Sequence, residues 1–167
     1  LPADVVHREG ELEHLSTALE PVLDGDPAGD VFVSGPSGSG KTSAARYLLG
    51  TLRESAATLD THLLRCWSNR TRHRVLYSAL GGFGSTADVQ RTAVSASELL
   101  SRVETAVDRP AIVVLDEVDR LATPDVLYDL YHVEGLSLYL IANSEDAVLA
   151  RLEPRLRSRL GNATSVQ

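Results

Sequence analysis

Residues 35–42 read GPSGSGKT, and the reading of this octet decides the fold. It satisfies G-x-x-x-x-G-K-[ST] at every fixed position, running Gly35, Pro36, Ser37, Gly38, Ser39, Gly40, Lys41, Thr42, with Ser43 next. The glycines let the backbone curl until its N–H groups converge on one point. A helix opening at Lys41 aims the positive end of its dipole at the same point. That arrangement suits phosphate oxygens: Lys41 can reach the terminal phosphates of a nucleotide, and Thr42 can offer its hydroxyl to magnesium. The context agrees, because the apolar run VFVSG precedes the loop and the helical pattern KTSAARYLLGTLRESA follows it. Lys41 is also the only lysine among 16 Lys and Arg residues, so the one lysine present stands where phosphate chemistry uses it.

Outward from the loop, AIVVLDE at 111–117 is the clearest strand in the chain. An aspartate at a strand's C-terminal end can hold magnesium through water, which makes Asp116 a metal candidate. Glu117 beside it can polarise an attacking water as general base. An acidic turn is the plain alternative for the pair, and the complete loop upstream outweighs it. LSLYLIAN ends at Asn143, which can orient the lytic water or touch the terminal phosphate; the alternative is an ordinary turn residue. No N-K-x-D pattern for reading guanine occurs, so ATP or ADP is the expected nucleotide. The motifs by themselves serve binding as well as hydrolysis.

Across the 167 residues, apolar runs alternate with helix-period stretches, the pattern of a parallel sheet covered by helices in a single domain. HREGELEHLSTALEPVL, RHRVLYSALGG, SASELLSRVETAV (capped by Ser95 or Ser97), PDVLYDLYHVEG and SEDAVLARL read as helices, with Pro154 interrupting or restarting the last. THLLRCW and the terminal ATSVQ read as strands, and GGFGSTAD as a flexible connection. No apolar run reaches the roughly 20 residues a membrane helix needs, and no signal-peptide pattern opens the chain, so the expectation is a cytoplasmic protein with no membrane partner. A single cysteine, Cys66, excludes an internal disulfide. Formal net charge is −7, a field that repels DNA, so weak DNA binding by residues 1–167 alone is expected. Against that background ARLEPRLRSRLGN gathers Arg151, Arg155, Arg157 and Arg159. Arg151, Arg155 and Arg159 are four apart, so one continuous helix would set them in a solvated stripe.

These motifs in this order resemble the AAA+ ATPase core, and within it the archaeal origin-recognition and cell-division-control initiator family. VVHREGELEHLSTALEPVLDG is similar to that family's adenine-contacting segment, CWSNRTRHRVLYSAL to its Asn-Cys stretch and helix, and LDEVDRLATPDVLYDL to its acidic strand end. IANSEDAVLARLEPRLRSRL is similar to its sensor asparagine and arginine-bearing segment. The family differs at Tyr131-His132, Trp67 and Arg159. The resemblance implies an α/β fold: a three-layer P-loop NTPase with a five-stranded, mostly parallel sheet over residues 1–167. On the same resemblance, the helical lid and winged helix that follow in the family are expected to lie outside residues 1–167. It implies adenine contacts in segment 5–29, at Val6, His7 and Arg8, and an arginine finger acting on a neighbouring subunit's ATP through segment 151–159, with Arg155 matching the family's first arginine. The implied function is an ATP–Mg2+ switch domain of a DNA replication initiator, meeting origin DNA mainly through domains outside residues 1–167. A regulatory or signalling nucleotide module is the alternative.

Overall fold

The computed structural model describes residues 9–56, 58–84 and 93–166. Among them the elements are, in chain order, helix α1 (Glu9–Leu19), strand β1 (Val31–Ser34), α2 (Lys41–Ser55), β2 (Asp60–Arg65), α3 (Arg72–Phe83), α4 (Ala96–Ala106) and β3 (Ala111–Asp116). Then follow α5 (Val126–Tyr131), β4 (Leu136–Ala142), α6 (Glu145–Leu149), α7 (Pro154–Leu160) and β5 (Thr164–Val166). The sheet runs β2-β3-β4-β1-β5, and every neighbouring pair is parallel.

The continuous apolar runs are explained by burial on both faces. In β3, Ala111, Val113 and Leu115 point to one cluster with α3, α4, α5, α6 and α7, while Ile112 and Val114 point to the other with α1 and α2. β4 divides likewise, with Leu136, Leu138, Leu140 and Ala142 to the first side and Tyr139 and Ile141 to the second. This alternation yields three layers. Parallel register then levels the strand ends: Ser34 is opposite Ala142, and Asp116 is opposite Ile141. The residues that follow β1, β3 and β4 therefore emerge side by side along one rim, where ligands bind open parallel sheets.

Local chemistry sets the boundaries. Pro21 lacks an N–H, and α1 passes at Leu19 into a 3-10 turn over Glu20–Asp24. Ser95, not Ser97, caps α4 by accepting from Glu98 N at 3.2 Å. The expected GGFGSTAD connection begins later than its composition suggests, since Gly81, Gly82 and Phe83 complete α3. A Cβ on Gly82 would lie 2.2 Å from His62 Cγ, so glycine lets the helix pass against the half-buried His62 ring. Residues 85–88 of that stretch lie outside the described residues. The expected helix PDVLYDLYHVEG is shorter, confined to α5. Pro154 restarts the chain as the first residue of α7 after α6 has ended at Leu149, so Arg151, Arg155 and Arg159 do not share a helix and the solvated stripe does not form.

Candidate functional site

The loop after β1 leads directly into α2. Gly38 and Gly40 hold φ of +79° and +84°, a region that side chains with a Cβ rarely occupy, which is why glycine is needed at these two positions. No side chain caps α2, so its first N–H groups are left for an anion. Lys41 is 7% exposed, and its Nζ donates to Gly35 O at 2.7 Å, Pro36 O at 2.8 Å and Ser39 Oγ at 3.4 Å. The ammonium is thus held inside the loop by carbonyls, where a phosphate oxygen is the stronger, charge-assisted acceptor.

Thr42 Oγ1 donates to Asp116 Oδ2 at 2.9 Å. The two residues expected to share a magnesium ion are therefore already in contact, and their oxygens suit a hard cation. Among the described residues no group of three or more acidic, histidine or cysteine side chains could hold a metal alone. That fits magnesium, which keeps most of its shell as water and phosphate oxygen. When bound, the ion would neutralise charge developing on the transferred phosphoryl group.

Glu117 has φ 59° and ψ 49°, the only positive φ outside glycine among the described residues. A left-handed residue with a Cβ costs about 1–2 kcal/mol, and such strain concentrates at working sites. Beneath the rim, Cys66 is fully buried and its N–H donates to Asp116 O at 2.9 Å. Burial pushes its thiol far up, and the charges of Asp116, Asp119 and Glu117 add to that, so the thiol stays neutral. Asn143, first after β4, donates from Nδ2 to Asp119 Oδ2 at 3.3 Å. Ser37 through Ser43, Asp116, Glu117 and Asn143 line one cleft of about 420 Å3. Gly35 and Pro36 lie just outside it, in a neighbouring hollow that Asn143 also lines.

The four arginines separate. Arg151 donates from Nη1 to Asp119 O at 3.1 Å and from Nη2 to Leu121 O at 2.6 Å, tying the α6–α7 turn to the turn after Glu117. Arg157 donates to Leu149 O at 2.8 Å, Leu152 O at 3.0 Å and Ala150 O at 3.3 Å, closing the end of α6. Arg159 stands 5.6 Å from the Tyr131 ring centroid, beside His132. Arg155 is exposed on the first turn of α7, and among the described residues no hydrogen bond or ion pair engages it. Val6, His7 and Arg8 lie outside the described residues. Asp119, which the sequence reading passed over, stands two residues after Glu117; that spacing on a turn following a strand is the signal that could have drawn attention to it.

Comparison with known proteins extends these observations. The chain is 38% identical over 167 residues to ORC1-type DNA replication protein 9 of Halobacterium salinarum, covering 100% of this chain and 47% of that one. It is 39% identical over 160 residues to ORC1-type DNA replication protein 1 of the same organism, covering 96% of this chain and 52% of that one. The fold matches Aeropyrum pernix ORC1, solved in complex with DNA, with a TM-score of 0.84 at 29% identity, covering 99% of this chain and 47% of that one. The chain thus spans about half the length of the curated relatives it matches. The family model described as AAA ATPase domain matches residues 4–142, a span that takes in the phosphate loop, the acidic end of β3 and all of β4. On that match, and on the fold that carries it, the chain belongs to the AAA ATPase domain family.

Proposed function

We propose that this domain binds ATP with magnesium and hydrolyses it as the nucleotide switch of a DNA replication initiator. The observation that carries the reading is the single cleft in which Lys41, the Thr42–Asp116 pair, Glu117 and Asn143 meet. The loop N–H groups and Lys41 would take the phosphates in exchange for the carbonyls that hold Lys41 now. Thr42 and Asp116 would hold the magnesium, Glu117 would take a proton from the attacking water, and Asn143 would orient that water or the terminal phosphate. Arg155, with no partner within its own described chain, would act on ATP bound to a neighbouring subunit. Alignment from end to end with ORC1-type replication proteins supports the replication reading over a signalling module. Origin DNA would be met mainly outside residues 1–167, since this domain carries net charge −7.

Titration with a fluorescent ATP analogue tests the reading. Lys41→Ala removes charge-assisted bonds worth about 1.5–3 kcal/mol, so its affinity should fall by about 10- to 150-fold. Glu117→Gln should bind ATP as the parent does and lose turnover by about 10²–10⁴. Normal hydrolysis by Glu117→Gln would remove Glu117 as the base, and unchanged affinity in Lys41→Ala would remove the cleft as the nucleotide site.

A further inference from the structure

We infer that Asp119 is a positioning residue of the nucleotide site, holding the Asn143 amide by its nitrogen so that the amide oxygen and the second N–H are left for the cleft. The inference rests on the reading of Asn143 as the group that meets the lytic water or the terminal phosphate.

A carboxylate only accepts hydrogen bonds, so the 3.3 Å contact from Asn143 Nδ2 to Asp119 Oδ2 fixes which end of the amide is which. Without that acceptor the amide can turn over and present the reverse pattern of donor and acceptor. Asp119 is itself held. It lies on the 3-10 turn Val118–Arg120, and Arg120 N returns to Glu117 O at 2.9 Å. Leu121 N closes the turn on Val118 O at 3.1 Å. From outside, Arg151 clamps the turn through the carbonyls of Asp119 and Leu121. The proposed base and the holder of the sensor amide therefore share one short turn, and the geometry of either constrains the other.

A second observation separates this role from simple stabilisation. Asp119 Oδ1 is buried and has no hydrogen-bond partner among the described residues. A buried carboxylate oxygen without a donor is unfavourable. A small uncharged residue would close the same turn without that penalty. Among the described residues the carboxylate's one side-chain partner is Asn143, and that is where its contribution lies.

The test uses the chain with and without ATP. The Asn143 side-chain NH2 resonances, identified by their loss in Asn143→Ala, should move in Asp119→Ala before any nucleotide is added. In single-turnover hydrolysis Asp119→Ala and Asn143→Ala should each be slower by about tenfold or more while ATP affinity stays within about threefold. The double variant should be no slower than the slower single one, because both remove the same interaction. Asp119→Asn, which keeps the size and one acceptor oxygen, should recover part of the rate. Unmoved resonances, additive losses or a parental rate in Asp119→Ala would overturn the proposal, as would affinity and melting temperature falling together with the rate. If Asp119→Ala does not fold, Asp119→Leu, which keeps the size and removes the acceptor, decides: a parental rate or unmoved resonances overturns the proposal. A parent chain that binds no ATP instead refutes the proposed function, and the parent control displays that failure separately.

Discussion

Replacing Arg155 and Arg157 one at a time separates a side chain that acts outward from one that closes the fold. Arg157 makes three hydrogen bonds to carbonyls at the end of α6. Each is worth about 0.5–1.5 kcal/mol net, and the sum is lowered because water takes over the carbonyls that stay exposed, so Arg157→Ala should cost about 1–2 kcal/mol. In a domain of this size each kcal/mol moves the melting temperature by about 2–4 °C, giving a fall of about 2–8 °C. Among the described residues Arg155 makes no such bonds, and Arg155→Ala should stay within about 0.5 kcal/mol of the parent. The order reverses in hydrolysis. With ATP affinity unchanged in both, only Arg155→Ala should lose the part of the rate that rises with protein concentration, where a finger supplied in trans contributes roughly 10³–10⁵. Thermal melts, ATP titration and hydrolysis from dilute to self-associated protein provide the three readings. If Arg155→Ala destabilised the chain as much as Arg157→Ala, or lost activity equally in dilute monomer, the assignment of Arg155 would fail.

The strain at Glu117 predicts that Glu117→Gly is more stable than Glu117→Ala by about 1 kcal/mol, since only glycine is at ease at φ 59°; equal melting temperatures would show that the turn relaxes. Asp30 Oδ1 accepts from Leu138 N at 2.8 Å, and burial raises its carboxyl above the ordinary range despite that bond. The folded chain then holds this proton more tightly than the unfolded chain, so Asp30's contribution falls as pH rises from the ordinary carboxylate value through the raised one. Asp30→Asn keeps the acceptor and removes the charge; it should melt at or above the parent's temperature at neutral pH and lose that slope in acid, and a marked fall at neutral pH would contradict this. A Cβ on Gly50 meets nothing within 4 Å, so Gly50→Ala should stabilise α2 by about 0.5–1 kcal/mol. Gly82→Ala, with His62 at 2.2 Å, should destabilise by about 1–3 kcal/mol by overpacking, and the two melts compared decide it.

The parts that were legible in sequence are those whose signal is local. The phosphate loop compresses its geometry into eight consecutive residues, and β3 announces burial on both faces by an unbroken apolar run ending in Asp116. The strand order and the level rim add only that parallel neighbours end together. What stayed hidden depends on which groups face each other across the fold. Asn143 reaches Asp119 across 24 positions, Arg151 reaches its carbonyls across about 30, and Gly82 reads as loop-forming until the His62 ring beside it is seen. The arginine cluster shows the difference most sharply. By spacing alone Arg151, Arg155 and Arg159 describe one charged helix face, with Arg157 off it. Pro154 breaks that face: α6 ends before it and α7 begins on it, which turns Arg157 back onto the carbonyls that α6 leaves open and places Arg151 in the connecting turn against residues 119–121. A guanidinium engaged on backbone carbonyls has its donors committed. Arg151 and Arg157 are thus held on carbonyls of their own subunit, and among the described residues no hydrogen bond or ion pair engages Arg155, which supports the proposal that Arg155 is the arginine that acts on a neighbouring subunit.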